Sequence, residues 1–324
     1  MKDSYGREIH YLRISLTDRC NFRCVYCTPT GITFAPHGHL LRDNELIRLV
    51  HIATTVGFDR VRLTGGEPTV RPNLVNIVGR IAIIPGIKEI AMTTNALKLQ
   101  KIAEPLAKVG LKRVNISIDT LNAERFHQMT RFGKLEQVWR GILAAERAGL
   151  HPIKLNSVVV RGYNEDGIVD LAKLALDHDW DMRFIEVMPL GSIAGFQMDS
   201  VVPVSEMKLR IASELGCLEP VDWDRHNPAR PYRLKGGRGT IGFISSVTEP
   251  FCAGCDRMRL SADRRLRLCL LCDDEVDLMM PLRAGARDDE LRELMVRGVW
   301  NKPWGHGLAR NVIPKARVMS SISG

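Results

Sequence analysis

Residues 12–27, "LRISLTDRCNFRCVYC", join a strand-forming run to three closely spaced cysteines. The run "LRISLT" alternates apolar and polar residues, which is typical of a strand with one buried face. Cys20, Cys24 and Cys27 follow with the spacing C-x3-C-x2-C. An odd number of thiols cannot pair fully as disulfides, and in a reducing compartment such a group indicates a metal site.

Working outward from this stretch, similar strand patterns recur with helical patterns between them. Residues 43–57 and 135–149 read as amphipathic helices, with Asp43 as N-cap and Gly57 and Gly149 as C-caps. Strand–helix alternation predicts a parallel sheet with helical crossovers, an α/β fold. Six units are too few for an eightfold barrel, so we predict a partial (βα)6 TIM-like barrel with functional groups at the carboxyl ends of its strands. The six predicted strands are residues 11–17, 60–64, 89–94, 113–118, 154–160 and 182–188.

The strand–helix repeat stops near residue 200, and the composition then changes. Residues 224–246 are rich in Pro, Gly and Arg, which indicates a different kind of structure. We therefore expect two regions. Residues 1–220 form the barrel core, and residues 221–324 form a smaller C-terminal region that closes one mouth of the barrel.

Composition and charge exclude several classes of protein. The 324 residues contain no uninterrupted apolar run long enough to span a bilayer, and the first ten residues do not resemble a secretory signal. We therefore expect a cytoplasmic protein with no membrane partner. The net charge of +9 comes from dispersed basic residues, which argues against a nucleic-acid partner and favours a small polyanion.

A second group of cysteines lies near the C-terminal end, and Cys217 stands apart from both groups. Cys252, Cys255, Cys269 and Cys272 have the spacing C-x2-C-x13-C-x2-C. This spacing fits a structural zinc site with four thiolates, or an iron–sulfur site with three. The N-terminal trio likewise fits a zinc knuckle completed by a histidine, or a [4Fe–4S] cluster. Three thiolates leave one iron of such a cluster free to bind a ligand.

Several motifs carry a resemblance to a known family. The C-x3-C-x2-C spacing after a first strand, with "LTGGEP" at 63–68 after the second, resembles the radical S-adenosylmethionine superfamily. In "LTGGEP", Glu67 is a natural partner for an ammonium or a neighbouring basic group. Residues 242–270, "GFISSVTEPFCAGCDRMRLSADRRLRLCL", resemble the GTP 3′,8-cyclase family of molybdenum cofactor biosynthesis. "TTN", "NISID" and "MRFIEVMP" fall in that family's order, so the resemblance covers nearly the whole chain.

The resemblance implies an activity, two [4Fe–4S] clusters, S-adenosylmethionine as cofactor and a set of site residues. The implied reaction converts GTP to (8S)-3′,8-cyclo-7,8-dihydroguanosine 5′-triphosphate. The implied cluster ligands are Cys20, Cys24 and Cys27 for the first cluster and Cys252, Cys255 and Cys269 for the second, with Cys272 extra. The implied contacts to S-adenosylmethionine are Tyr26, Gly66, Ser117 and Met188. The implied contacts to GTP are Arg13, Arg62, Thr93, Lys154, Arg257, Met258 and Arg259, and Arg257 and Arg259 join the N-terminal cysteines as the catalytic set.

Partners and departures from the family pattern complete the expectations. A flavodoxin- or ferredoxin-like protein would supply electrons, the next molybdopterin-pathway enzyme would take the product, and a homodimer is allowed. Ser323 and Gly324 stand where the family ends in two glycines, and Ala96 stands where it has glycine.

Three alternatives remain open for the function of the protein. They are a radical enzyme with an auxiliary cluster acting on another substrate such as a peptide, a divergent copy of low activity, and a non-catalytic zinc protein that binds nucleic acid.

Overall fold

The structure is a computed structural model, and it describes residues 1–28, 31–189, 198–263, 265–308 and 319. Ser323 and Gly324, whose effect on activity is an open prediction, lie outside the described residues. The strands are β1 (Tyr11–Ser15), β2 (Arg60–Thr64), β3 (Glu89–Thr94), β4 (Arg113–Ser117), β5 (Lys154–Val159), β6 (Asp181–Glu186), β7 (Leu218–Pro220), β8 (Arg230–Leu234), β9 (Thr240–Ile244), β10 (Arg257–Leu260), β11 (Arg265–Arg267) and β12 (Glu275–Asp277). The helices are α1 (Asp43–Val56), α2 (Leu74–Ala82), α3 (Leu99–Lys108), α4 (Ala123–Thr130), α5 (Leu135–Arg147), α6 (Ile168–Asp177), α7 (Val204–Leu215), α8 (Met279–Arg283) and α9 (Asp288–Trp300).

One sheet joins all the strands of the described residues, in the order β12-β11-β10-β1-β2-β3-β4-β5-β6-β9-β8-β7. From β10 through β1–β6 to β9 the neighbouring strands are parallel, whereas the outer strands pair antiparallel. Helical crossovers connect β1 to β6, which confirms the α/β fold and the partial barrel predicted from the sequence. None of the helices within the described ranges is long and apolar enough to cross a membrane.

The six predicted strands correspond to β1–β6, and the two predicted helices correspond to α1 and α5. The cap assignments differ in detail. The N-cap residue of α1 is Arg42 rather than Asp43, which is the first residue of the helix. The backbone N–H of Arg42 donates to the Glu45 carboxylate at 2.9 Å and so caps the helix. Gly57 caps α1 in the left-handed conformation, as expected. Ala148 caps α5, and the left-handed residue Gly149 follows it.

The C-terminal region contributes strands to the barrel sheet, which the sequence pattern did not predict. Strand β10 pairs with β1 and β9 pairs with β6, so this region extends the parallel sheet at both edges. The pairing brings β10, with two of the predicted GTP-contacting arginines, alongside the first strand of the barrel. The division at residue 220 stays a prediction.

Candidate active site

One large cavity lies inside the barrel, towards the carboxyl ends of the parallel strands. The space between its walls, with the open solvent at its mouth included, is about 1520 Å³. Each of the strands β1–β6 contributes at least one side chain to its lining. The cavity therefore brings together residues that are far apart in the sequence.

The three N-terminal thiols of Cys20, Cys24 and Cys27 face this cavity. The loop after β1 turns tightly there, because the backbone N–H groups of Cys27 and Thr28 both donate to the Cys24 carbonyl at 3.0 Å. Burial raises the pKa of Cys24, and it raises the pKa of Cys20 to about 12 and that of Cys27 to about 11. The three thiolates are therefore favoured only when a positively charged group, such as the irons of a cluster, lies among them.

The "LTGGEP" segment packs against the cysteine loop. The Gly66 N–H donates to the Thr17 carbonyl at 2.7 Å, and a Cβ on Gly66 would lie 2.3 Å from the Arg19 carbonyl oxygen. Glycine is therefore required at position 66 by the close approach of two loops. The sequence pattern had suggested only the approach of a ligand as the reason.

Glu67 is held by hydrogen bonds within the chain. Its buried carboxylate accepts from Thr69, from the Thr94 hydroxyl at 2.7 Å and from the Asn95 N–H at 2.7 Å. Glu67 thus ties the end of β2 to the end of β3, and burial still raises the pKa of its carboxyl. Its predicted pairing with an ammonium or a basic group stays a prediction.

The four residues assigned to S-adenosylmethionine by resemblance, Tyr26, Gly66, Ser117 and Met188, all line the cavity. The Tyr26 hydroxyl donates to the Asp119 carboxylate at 2.7 Å, which fixes the tyrosine ring beside the cysteine loop. Burial raises the pKa of Asp119 to about 6, against the effect of this hydrogen bond. The structure brings the four residues together, and their roles towards the cofactor stay predictions.

A row of arginines crosses the neighbouring strands β10, β1 and β2. The register places Arg259 beside Arg13, and Arg13 beside Arg62. Arg257 lies two residues before Arg259 and so on the same face of β10. Burial and the repulsion of neighbouring cations lower the pKa of Arg13 and Arg62, and lower that of Arg259 to about 10. Cations held together against their repulsion form a site for an anion.

The arginine row holds more positive charge than its carboxylates neutralise. Arg257 forms an ion pair with Asp256 at 2.9 Å. Arg62 donates to the Tyr11 hydroxyl at 2.8 Å, which is a neutral partner. The Nε of Arg13 is buried without a hydrogen-bond partner in the described part of the chain. A buried donor of this kind costs free energy until an acceptor reaches it, and a phosphate oxygen is a suitable acceptor.

The remaining predicted GTP contacts are Thr93, Lys154 and Met258. Thr93 lines the cavity. Lys154 pairs with Asp181 at 2.9 Å, and burial lowers the pKa of its ammonium to about 8. The Met258 side chain is wholly buried in the main core, because alternate residues of β10 face opposite sides of the sheet. Any contact of Met258 with GTP is therefore limited to its backbone.

Arg183 and Asn156 are two of the polar cavity residues that the sequence analysis did not single out. Arg183 on β6 lines the cavity next to Asn156 on β5, its partner in the register. Burial lowers the pKa of Arg183 to about 10 despite an ion pair with Asp181 at 3.5 Å. The sequence could have indicated both residues, because each is a polar residue at an alternate position of a strand with apolar neighbours.

The C-terminal cysteines form a group beside the cavity. Cys252 and Cys255 lie between β9 and β10, and Cys269 and Cys272 follow β11. The thiols of Cys252, Cys255 and Cys269 influence one another's pKa, and Cys269 and Cys272 share a hydrogen bond. The Cys272 thiol also donates to the Gly305 carbonyl at 3.7 Å, and a Cβ on Gly305 would lie 3.1 Å from the Cys252 Sγ. The backbone of Gly305 therefore lies against two of the sulfurs.

Positive charge surrounds this second group. Burial alone would raise the pKa of Cys255, but Arg257 and Lys302 hold it below its ordinary value. The hydrogen bond from Cys272 and the charge of Lys302 lower the pKa of Cys269. The thiolates of Cys255 and Cys269 are thus favoured here, as the ligands of an iron–sulfur cluster must be, whereas burial raises the pKa of Cys252.

Both cysteine groups fit iron–sulfur clusters in their chemistry. Within the described residues, no three His, Cys, Asp and Glu side chains are arranged around a single metal ion. A cube of four irons holds its thiolates farther apart than one ion does, so this spacing does not conflict with a cluster. The N-terminal group also faces open space, where a free iron position would meet a ligand.

Solved structures share the fold. The crystal structure of SuiB from Streptococcus suis bound to S-adenosylmethionine matches with a TM-score of 0.65 at 12% identity. The match covers 87% of this chain and 66% of the SuiB chain, slightly less than two thirds of its length. SuiB bound to its precursor peptide SuiA matches with a TM-score of 0.60 at 13% identity, over 82% of this chain and 60% of that one. At such low identity these likenesses concern the fold alone.

Sequence comparisons identify the family. The Radical SAM superfamily matches residues 14–175, and the family described as Molybdenum Cofactor Synthesis C matches residues 180–308. The GTP 3′,8-cyclases of Moorella thermoacetica and Pelotomaculum thermopropionicum are 47% and 46% identical to this chain, each over 100% of both proteins. That of Heliobacterium modesticaldum is 44% identical over the same share. With the thiols and the arginine row in one barrel, these matches lead to one conclusion: the chain belongs to the GTP 3′,8-cyclase family of radical S-adenosylmethionine enzymes, which use a [4Fe–4S] cluster.

Proposed function

We propose that this enzyme converts GTP to (8S)-3′,8-cyclo-7,8-dihydroguanosine 5′-triphosphate in molybdenum cofactor biosynthesis. The observation that carries the proposal is the excess of buried positive charge beside three thiols in one barrel. A triphosphate brings about four negative charges, and guanidinium groups bind phosphate oxygens through paired donors. Family membership and the named relatives support the same reaction.

In this proposal Cys20, Cys24 and Cys27 hold the cluster that works with S-adenosylmethionine. When bound there, S-adenosylmethionine would supply, on one-electron cleavage, the radical that abstracts hydrogen. Tyr26 and Met188, which pack against the same small apolar cluster, bound the space for the cofactor. Gly66 keeps the β2 loop closed against the cysteine loop. Together these residues exclude water from the reacting groups, which protects a reactive species from side reactions.

The arginine row binds the substrate. Arg13, Arg62, Arg257 and Arg259 face the triphosphate, and Arg183 adds a further cation from the opposite part of the sheet. The strands hold these guanidinium groups in place before GTP arrives, so little reorganisation is needed on binding. This fixed placement presents the nucleotide to the thiol end of the cavity in one orientation. Thr93 adds a hydroxyl donor or acceptor on β3.

The C-terminal region completes the proposed enzyme. Cys252, Cys255 and Cys269 hold a second [4Fe–4S] cluster, and Cys272 is not a ligand. Residues 221–324 act as the substrate- and cluster-binding region attached to a core of residues 1–220. A flavodoxin- or ferredoxin-like protein donates the electrons. The product passes to the next enzyme of the molybdopterin pathway, and a homodimer is the assembly we would test first.

Anaerobic turnover tests the proposal directly. The full chain, reconstituted with iron and sulfide, is incubated with GTP, S-adenosylmethionine and dithionite, and the nucleotide and 5′-deoxyadenosine are analysed by mass spectrometry. We expect a cyclised GTP isomer and GTP-dependent 5′-deoxyadenosine, with ATP as the matched control giving neither. A chain carrying about eight irons that yields no cyclised nucleotide would defeat the assignment. Ser323→Gly in parallel shows whether the altered ending limits turnover.

A further inference from the structure

A buried lysine beside the C-terminal cysteines takes no part in the proposed reaction so far. Lys302 follows α9 and is only 2% exposed. Its ammonium donates to the Leu268 carbonyl at 2.6 Å. Within the described residues it forms no ion pair with a carboxylate. Lysine is rarely buried in this way, because removing an ammonium from water costs several kcal/mol unless an anion compensates.

The position of Lys302 shows where that anion would lie. Leu268, which accepts its hydrogen bond, directly precedes Cys269. The ammonium is therefore held against the loop that carries Cys269, one of the three proposed ligands of the second cluster.

Two neighbouring cations, Arg7 and Arg257, differ from Lys302 because each already has a carboxylate partner. Arg7 pairs with Asp3 at 2.7 Å and donates to the carbonyl of Cys252 at 2.9 Å. Arg257 pairs with Asp256, as described above. Arg7 also donates to the carbonyls of the two residues after Lys302, at 2.7 Å each. These bonds fix the backbone on which the lysine stands, so its charge is held at a defined place.

We propose that Lys302 is the counter-ion of the second cluster, a positioning residue that holds the Cys269 loop and raises the reduction potential of the cluster. This inference rests on the proposed function, because it requires the second cluster. With three thiolate ligands a [4Fe–4S] cluster has a net negative charge, and each added electron makes it more negative. A fixed positive charge close by stabilises the reduced form more than the oxidised form, which raises the potential.

Three substitutions separate charge from hydrogen bonding. Lys302→Arg keeps both, Lys302→Gln keeps a donor without charge, and Lys302→Met loses both. Lys112→Met, at an exposed lysine, is the matched control. Full-length proteins are reconstituted anaerobically and analysed for iron, and both clusters are titrated with dithionite under electron paramagnetic resonance. The N-terminal cluster serves as an internal reference within each sample.

We expect the potential of the second cluster to shift downward in Lys302→Gln and Lys302→Met, while that of the first stays unchanged. Lys302→Arg and Lys112→Met should behave as the unmodified chain. Loss of the second cluster's iron in both uncharged variants, with rescue by Lys302→Arg, also supports the inference. An unshifted second potential in Lys302→Gln, at full iron content, overturns it. An unmodified chain that binds only about four irons overturns instead the second cluster of the proposed function, so the two failures are distinguishable.

Discussion

The two cysteine groups of this chain share a C-x2-C unit but lie in opposite electrostatic surroundings. The N-terminal thiols face the barrel cavity, and after burial the carboxylates of Glu67 and Asp119 raise the pKa of Cys20 and Cys24. The C-terminal thiols lie beside the cavity, and the cations near them lower the pKa of Cys255. Burial acts in the same direction in both groups and raises the pKa of Cys252, so the lowered pKa of Cys255 and Cys269 comes from the hydrogen bond of Cys272 and from the neighbouring cations.

This difference matches the ligand proposed for each site. S-adenosylmethionine carries a positive sulfonium, which nearby carboxylates stabilise. GTP carries a polyanion, which the basic side of the barrel stabilises. A cluster in basic surroundings is also easier to reduce than one near carboxylates. In the proposed enzyme, charge therefore separates the end that would bind S-adenosylmethionine from the end that would bind GTP.

The largest effect is expected from removing one ligand of each cluster in turn. Cys24→Ser should abolish formation of 5′-deoxyadenosine, because the cluster that reduces S-adenosylmethionine is lost. Cys255→Ser should stop nucleotide cyclisation but leave some cleavage of S-adenosylmethionine. Iron should fall from about eight to about four per chain in both variants. Equal loss of cleavage in the two variants, with four irons retained in each, would contradict the division of roles.

A smaller effect is expected from Arg13→Met, which should weaken GTP binding but stabilise the ligand-free protein. Loss of a charge-assisted bond to phosphate, worth about 1.5–3 kcal/mol, should weaken GTP binding roughly 10- to 100-fold. The ligand-free protein should become more stable, because a buried guanidinium that repels Arg62 and Arg259 is replaced by an apolar side chain. Equilibrium binding and thermal unfolding measure the two effects. Arg140→Met on exposed α5 is the control, and a lower melting temperature for Arg13→Met alone would refute the argument.

The pH dependence of GTP binding should be a further, gentler effect. Burial lowers the pKa of Lys154 from 10.5 to about 8, so its ammonium loses its proton in the folded protein as the pH rises through about 8. We expect GTP affinity to decline above that pH. Between about pH 8 and 10.5 the Lys154 amine is protonated in the unfolded chain but not in the folded one. The contribution of Lys154 to the free energy of unfolding therefore rises with pH across this range. Lys154→Arg should remove the decline in affinity, and an identical pH profile in this variant would exclude Lys154 as its cause.

The sequence predicted the barrel half of the molecule well, because strand alternation and caps are local signals. Strands β1–β6 and the cavity-facing cysteines follow directly from them. The sequence also marked Ala96 as an unusual substitute for glycine, and the structure places it at a left-handed φ of 60°, where glycine is favoured. Gly141 packs against it and leaves room for its methyl group.

The features that the sequence missed depend on contacts between distant residues. The pairing of β10 with β1, which aligns Arg259 with Arg13, joins parts of the chain that no local pattern connects. The same holds for Lys302, whose importance comes only from its burial against Leu268. The contacts of Glu67 within the chain were also missed, because a carboxylate beside a glycine turn can bond to backbone N–H groups of a distant loop.

The smallest effect is expected from Cys272→Ser, and it tests whether the second site has three ligands or four. The Cys272 thiol donates to the Gly305 carbonyl at 3.7 Å, and a serine hydroxyl can keep a donor at that position. We expect the variant to keep about eight irons and to form product at nearly the unmodified rate. Cys217→Ser, at an exposed cysteine away from both groups, is the matched control. Loss of about four irons from Cys272→Ser alone, or zinc in the unmodified protein, would mean that four thiolates saturate the metal. The second site would then have no position free for a ligand, and the comparison between the two groups would become one between a reactive centre and a structural one.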